Sequence, residues 1–331
     1  MKNKIMMIAL LLLMGAAGRV KAQVDPHFSQ YYAYPLWLNP ALTGVMNGDL
    51  RVGGNYKNQW ANVGNGYKTG AISADMRPTD KIGVGLTILN QAAGDAGYNY
   101  FSALGSFGYS IAVSADGNQK LSFGVQAGII NRSFDMSKLQ FGSQYDPVNG
   151  YNPMLPSFEG LSSSNTTVFD ANAGVFYYDG DPLKTVNLFG GASVSHLSRP
   201  RDPFTTTADG KLPIRFALHG GVRIKAAQNI DLTPNAIFID QRTAQIKGLG
   251  LYSEFKMQND NGLIAGAMYR FKDAAIANVG YRFNNAIVGV SYDFNTSSFS
   301  RATAGAGGLE LSISYVFRRH LSEPEPICPR L

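Results

Sequence analysis

From Leu50 onward the chain alternates apolar and polar residues with a period of two. The last stretch is the clearest. Leu309, Leu311, Ile313, Tyr315 and Phe317 share one parity, and Glu310, Ser312, Ser314 and Val316 share the other. Successive side chains of a strand point to opposite faces, so this stretch has one apolar and one mostly polar face. The same pattern sets Ile82, Val84, Leu86 and Ile88 against Gly83, Gly85 and Thr87. It sets Leu121, Phe123, Val125, Ala127 and Ile129 against Ser122, Gly124, Gln126 and Gly128. It also sets Leu212, Ile214, Phe216, Leu218, Val222 and Ile224 against Arg215, His219, Arg223 and Lys225. The period predicts strands over 50–58, 66–77, 81–90, 98–114, 119–133, 166–179, 184–198, 211–226, 230–239, 244–257, 262–271, 274–283, 285–294 and 308–318.

Strands of this length, apolar on one face and ending in aromatic residues, suit a membrane better than a soluble sandwich or propeller. Lipid tolerates no unpaired backbone edge, so the last strand must pair with its predecessor and with the first. The expected fold is an all-β, transmembrane antiparallel barrel of the outer membrane with about fourteen strands. Short turns such as Pro78-Thr79-Asp80 and Asn284 face mostly longer connections, the longest being 134–165. That asymmetry matches short periplasmic turns opposite outer loops. With its three prolines, the long outer loop is expected to fold over the mouth.

Ahead of the barrel (50–318), residues 23–49 hold Pro26, Pro35 and Pro40, which rule out a long helix or a regular strand. Yet Phe28, Tyr31, Tyr32, Tyr34, Leu36, Trp37 and Leu38 are too apolar for a disordered leader. This segment is expected either to pack within or beneath the barrel mouth as a plug, or to act as an external docking peptide. Its candidate contact residues are Asp25, Phe28, Gln30, Tyr31, Trp37 and Asn39.

Composition adds targeting and removes chemistry. Lys2 and Lys4 precede the apolar run Ile5–Met14, and Val20-Lys21-Ala22 offers a small residue for cleavage, so residues 1–22 read as a secretory signal peptide. Without the four cations of that stretch the formal charge falls from +6 to +2, and no nucleic-acid partner is indicated. Cys328 is the one cysteine and has no partner for an internal disulfide. It lies in a 319–331 tail expected in the periplasm, where Cys328, Pro329 and Arg330 are either idle or part of a terminal signal.

His27, His196, His219 and His320 are scattered, and no metal-ligand spacing, nucleophile elbow or phosphate-binding loop appears, so no cofactor and no catalytic group are expected. Inward parity makes Arg215, His219, Arg223, Arg282 and Glu310 the candidate lumen residues, with His219 expected to be solvated. Lys225, Glu254, Arg270 and Asp293 share that parity. Such charges either mark a solute path or neutralise one another in a filled lumen.

The mature start, Asp25-Pro-His-Phe-Ser-Gln-Tyr-Tyr-Ala-Tyr-Pro-Leu-Trp-Leu-Asn-Pro-Ala41 followed by Gly44 and Asn55-Tyr-Lys-Asn-Gln-Trp60, resembles the opening of the PorP/SprF family. Tyr292-Asp-Phe-Asn-Thr-Ser-Ser297, Ser300-Arg-Ala-Thr303, the closing strand and the ending Cys328-Pro-Arg-Leu331 are similar to it as well. The resemblance implies an outer-membrane barrel of the type IX secretion system of Bacteroidota, in some members tied to gliding motility. It implies a non-enzymatic role in the export or surface attachment of large cell-surface proteins. The implied partners are that secreted cargo, periplasmic or outer-membrane components of the apparatus, and outer-membrane lipid. The residues alone also admit a channel or transporter for small or hydrophobic solutes.

Overall fold

The computed structural model describes residues 25–146, 148–158, 164–201 and 211–318. The expected signal peptide and the tail residues Cys328, Pro329 and Arg330 lie outside the described residues. Fourteen strands close into one antiparallel barrel. They are β1 (Leu50–Gln59), β2 (Tyr67–Met76), β3 (Ile82–Ala93), β4 (Tyr98–Ala112), β5 (Gln119–Ser133), β6 (Asn165–Asp179) and β7 (Val186–Ser195). β8 (Arg215–Ala227), β9 (Ile230–Gln241), β10 (Ala244–Lys256), β11 (Gly262–Arg270), β12 (Ala274–Phe283), β13 (Ala286–Asn295) and β14 (Ala306–Phe317) complete it. β14 pairs with β13 on one side and with β1 on the other, from Leu50 opposite Phe317 to Gln59 opposite Gly308. The closing strand therefore leaves no edge, as its period requires.

Two boundaries move inward by more than two residues from the expected ones. β7 ends at Ser195 rather than 198 because His196 adopts a left-handed backbone, φ 62°, which extended pairing cannot continue. β8 starts at Arg215 rather than 211. Leu212 instead donates its N–H to the Pro200 carbonyl and buries its side chain beside Phe28 and Tyr34. It is thus an inside residue, although its parity placed it outside.

Both ends of the barrel strand run lie at one rim, with the short connections 77–81, 113–118, 180–185, 228–229, 257–261 and 284–285. Asn284 turns the last of these at φ 50°, a conformation asparagine tolerates. The opposite rim carries the longest connections, among them 134–164 with its two-residue ladder Tyr145–Asp146 and Gly150–Tyr151, but also the short ones 94–97, 242–243 and 271–273.

The outer surface is apolar. Leu309, Leu311, Ile313, Tyr315 and Phe317 are 41–56% exposed, whereas Glu310 between them is 0%. Ring pairs cap the belt at both rims: Tyr315 and Phe317, centroids 4.5 Å apart, near the short turns, and Tyr292 with Phe294 (4.8 Å) and Tyr269 with Phe271 (5.2 Å) near the loops. Rings at two levels are what membrane interfaces select. Among the described residues no helix is long and apolar enough to cross a membrane.

Candidate functional site

The lumen is occupied by the chain's own residues 25–49. They enter at the loop rim and descend to the turn rim, where Asp49 donates its N–H to the Phe317 carbonyl and accepts from Arg77. Prolines keep the secondary structure short: 3-10 turns at Tyr31–Ala33 and Pro40–Leu42 flank a single α-turn, Pro35–Leu38. The aromatic side chains then fill the cylinder, and Tyr34, Leu36, Asn39, Ala41 and Leu42 are almost fully buried.

At the loop rim the segment is held by a buried histidine. The His196 imidazole faces two carboxylates, Asp25 through Nε2 at 2.7 Å and Asp170 through Nδ1 at 3.0 Å. Burial opposes the charged ring, but the two acids outweigh it and hold His196 up at about 9. Burial likewise opposes ionisation of Asp25, but His196 and Arg215 prevail and keep it below the usual carboxylate range. Phe28 and Tyr34 stack edge to face just below, and Trp37 Nε1 donates to the Pro26 carbonyl.

A third of the way down lies a buried cluster of two cations and two anions, with Asp273 at its edge also 2.8 Å from Arg270 Nε. The Glu310 carboxylate accepts the backbone N–H groups of Ser29 at 2.7 Å and Gln30 at 3.0 Å. The Gln30 side chain donates to the Glu310 carbonyl and accepts from Ser312. Lys57 Nζ and Arg270 Nη1 both donate to Ser29 Oγ, at 2.8 and 2.9 Å, and Ser29 donates to Asp293. Arg270 also reaches Asp293 at 2.9 Å, and Lys57 reaches it at 3.3 Å. Buried ions persist only when paired and hydrogen-bonded, and these satisfy both conditions through the luminal segment itself.

In mid-lumen Asn39 bridges the wall. Its Nδ2 donates to the Val175 carbonyl at 3.0 Å and lies 3.1 Å from His219 Nε2, while its Oδ1 accepts from Ala41. His219 is therefore not solvated. It is buried, with its ring stacked on Phe176 at 5.6 Å, because the segment displaces the water that an empty lumen would hold. Tyr31 donates to Asn235 at 2.6 Å, and Arg215 to the Trp37 carbonyl.

Wall glycines make the close approach possible. A methyl at Gly108 would sit 2.5 Å from the Thr43 carbonyl oxygen, one at Gly191 would sit 2.8 Å from Asn39 Nδ2, and Gly83, Gly124 and Gly174 leave still less room. Near the turn rim Arg51 clamps Asp75 through two 2.9 Å bonds, and Gly44 N–H donates to the same carboxylate at 2.8 Å.

Beside the segment a cavity of about 470 Å³ remains, bounded by β7–β14 and by Arg51 of β1. Arg223 and Arg282 line it, unlike Arg215, His219 and Glu310, which are packed against the segment. The β8–β9 ladder lapses between Gly221–Asn235 and Ile224–Leu232, where Pro234 has no N–H to give. There Arg223 pairs with Asp231, which also holds Lys256 at 2.9 Å, and Arg282 pairs with Glu254.

Parity places Arg215, His219, Arg223, Arg282 and Glu310 toward the lumen but cannot assign their partners. Lys57 was readable in the same way, as an inward charge in a mostly uncharged strand. The Asp25–His196–Asp170 contact joins three distant stretches with no shared period, and no sequence signal marks it.

A closed fourteen-stranded cylinder with an apolar belt, ring girdles and a filled lumen defines an integral outer-membrane β-barrel. Among solved structures it is similar to the Ralstonia pickettii toluene transporter TbuX, at 10% identity and a TM-score of 0.52 over 87% of this chain and 94% of that one. The Pseudomonas putida toluene transporter TodX is also similar, at 11% identity and a TM-score of 0.50 over 88% and 98% of the two chains. At such identities the likeness concerns the fold alone. No curated protein matches the chain. The family is shown by its own model: the chain belongs to the type IX secretion system membrane protein PorP/SprF family, matched over residues 20–315.

Proposed function

We propose that this protein is a non-enzymatic outer-membrane component of type IX secretion, a plugged barrel that anchors or docks exported cell-surface proteins. The observation that carries this reading is the gripping of Ser29 and Gln30 by Glu310 inside a lumen that residues 25–49 occupy. A segment held by backbone hydrogen bonds to a buried charge favours a scaffold over a freely conducting pore. Residues 1–22 would direct export and be removed. Periplasmic parts of the apparatus would meet the short-turn rim, and cargo would meet the loop rim. The adhesins served would include gliding-related ones where the host cell glides.

Deleting the gene and comparing surface-exposed proteins by protease shaving of intact cells tests the proposal. One or more large surface proteins should be lost from the surface or shed into the medium. An unchanged surface complement would overturn the reading.

A second reading is favoured by the cavity of about 470 Å³ beside the segment: carriage of small or hydrophobic solutes, with the segment as a gate. It draws support from the fold shared with the two toluene transporters. It requires solute flux into liposomes containing the purified barrel, which the scaffold reading does not.

A further inference from the structure

We propose that the loop-rim end of β9–β11 holds, on the outside of the barrel, the phosphate of an outer-leaflet lipid headgroup, with Arg242, Lys247 and Lys272 as the cations that bind it. The proposal concerns the barrel's seat in the membrane and stands whichever function the lumen serves.

The outward parity of the strands is almost free of charge. Its cations are Lys68 of β2 and Lys247 of β10, both at the loop end. A lysine on the lipid side is tolerated where its head reaches the headgroups while its stem lies along apolar surface. Lys247 meets both conditions. It shares the outer face of β10 with Leu249 and Leu251 and stands opposite Phe238 of β9. Its Nζ lies 5.7 Å from the centre of the Phe238 ring, within reach of its π face. On the other side Phe271 donates its N–H to the Lys247 carbonyl, and Phe271 belongs to the Tyr269–Phe271 ring pair that marks the interface. The ammonium is therefore placed at headgroup depth.

Two more exposed cations crown the same three strands, Arg242 in the 242–243 turn and Lys272 in the 271–273 turn. Among the described residues none of the three cations is ion-paired. Two acids lie close by. Asp240 shares the outer face and accepts from Gln245 at 2.7 Å, and Asp273 pairs with the buried Arg270 at 2.8 Å. Set against both acids in full, the three cations still leave one positive charge, and Arg270 already answers the second acid. The neighbouring connection, 196–214, sets Asp202 and Asp209, which lie outside the described residues, against Arg199, Arg201 and Lys211, so its sequence brings no anionic excess.

The membrane fixes the occupant. An outward side chain at girdle depth is surrounded by lipid headgroups, and their phosphates are the anions available there. The Arg242 guanidinium offers a planar fork to such a group, and the two lysines offer point charges. An anionic lipid surface favours each such cation by roughly fivefold, so three together amount to roughly a hundredfold.

The test titrates the purified full chain in detergent micelles with phosphorylated lipid A and with its dephosphorylated form, and counts bound lipid by native mass spectrometry. The phosphorylated form should bind saturably and roughly tenfold or more tightly than the other. The triple variant Arg242→Ser, Lys247→Ser, Lys272→Ser should lose that preference while keeping its heat-modifiable gel mobility, and Lys68→Ser should retain it. If the triple variant does not fold, Lys247→Glu replaces it and should weaken binding of the phosphorylated form alone.

Equal binding of the two lipids, binding that does not saturate, or a preference that the site variants keep overturns the proposal. So does a preference lost to the same extent in Lys68→Ser, which would reduce the effect to diffuse surface charge. Inorganic phosphate that binds the parent and is not displaced by phosphorylated lipid A would make this a site for a soluble anion, and would overturn it as well.

Discussion

Glu310 accepts the backbone N–H of Ser29 at 2.7 Å across 281 residues of chain, joining the closing strand to the segment inside the barrel. A carboxylate bound by two main-chain donors and neighboured by a lysine cannot be shortened cheaply. Glu310→Ala strands the two N–H groups and leaves Lys57 and Arg270 with Asp293 as their shared acid within the cluster. Removing one partner of a buried ionic network costs about 3–5 kcal/mol. The barrel, held by its ladders, should persist while the segment loosens. Planar-bilayer recordings should show stepwise conductance in the variant and none in the parent.

Gly174 is the second point of control. Asn39 lies where a side chain at this position would begin. Gly174→Val should exclude Asn39 from its place and expose the segment to protease from the periplasmic side, without changing the folded gel mobility. A variant as resistant as the parent would show that the wall can yield there.

On the outer face, Ile313 is 56% exposed at mid-strand, in the lipid belt. Ile313→Arg should destabilise the barrel by about 2–4 kcal/mol, the range for a cation at the bilayer midplane. Urea titration in lipid vesicles measures this. Ser314→Arg, on the luminal parity next to it, should cost clearly less.

The His196 contact gives a pH dependence of known sign. The histidine is held at about 9, above its free value of 6.5, so its contribution is complete below about pH 6.5 and is lost as the pH rises through 9. Asp25 is held below its free value of 3.8, so its contribution is present above that pH and fades as the pH falls below it. Protection of the amides at the start of the segment, the ratio of intrinsic to observed exchange rate, should be greatest between these limits and should fall on the alkaline side. His196→Gln should abolish that alkaline fall in protection. An unchanged alkaline limb in that variant would disprove the assignment.

The period-two pattern makes the cylinder legible in the chain, because lipid outside and polar groups inside impose opposite demands on alternate residues. The closing strand Leu309–Phe317 states this plainly. The segment inside is legible only as a contradiction: too rich in proline for regular structure and too aromatic for solvent. Its course is not legible, because the contacts that fix it are between single residues. Gly174 looks like one more strand glycine until Asn39 is placed beside it. His219 reads as a solvated base until the segment is seen to exclude its water. The Asp25–His196–Asp170 contact joins one charge from each of three stretches, and no local pattern can encode such a meeting. The stretch just before the eighth strand shows the same limit, since Leu212 obeys the alternation yet turns inward.

The strands that meet at the barrel's seam supply both Lys57 and Glu310, and so grip the threaded segment from either side of the junction. The seam and the hold on the segment thereby share their residues. A cylinder zipped shut while empty would have to admit a bulky aromatic thread through a finished ring. Assembly that lays the thread against one strand before the other arrives meets no such obstacle. The final zipping of first strand to last then doubles as a check that the interior has been filled.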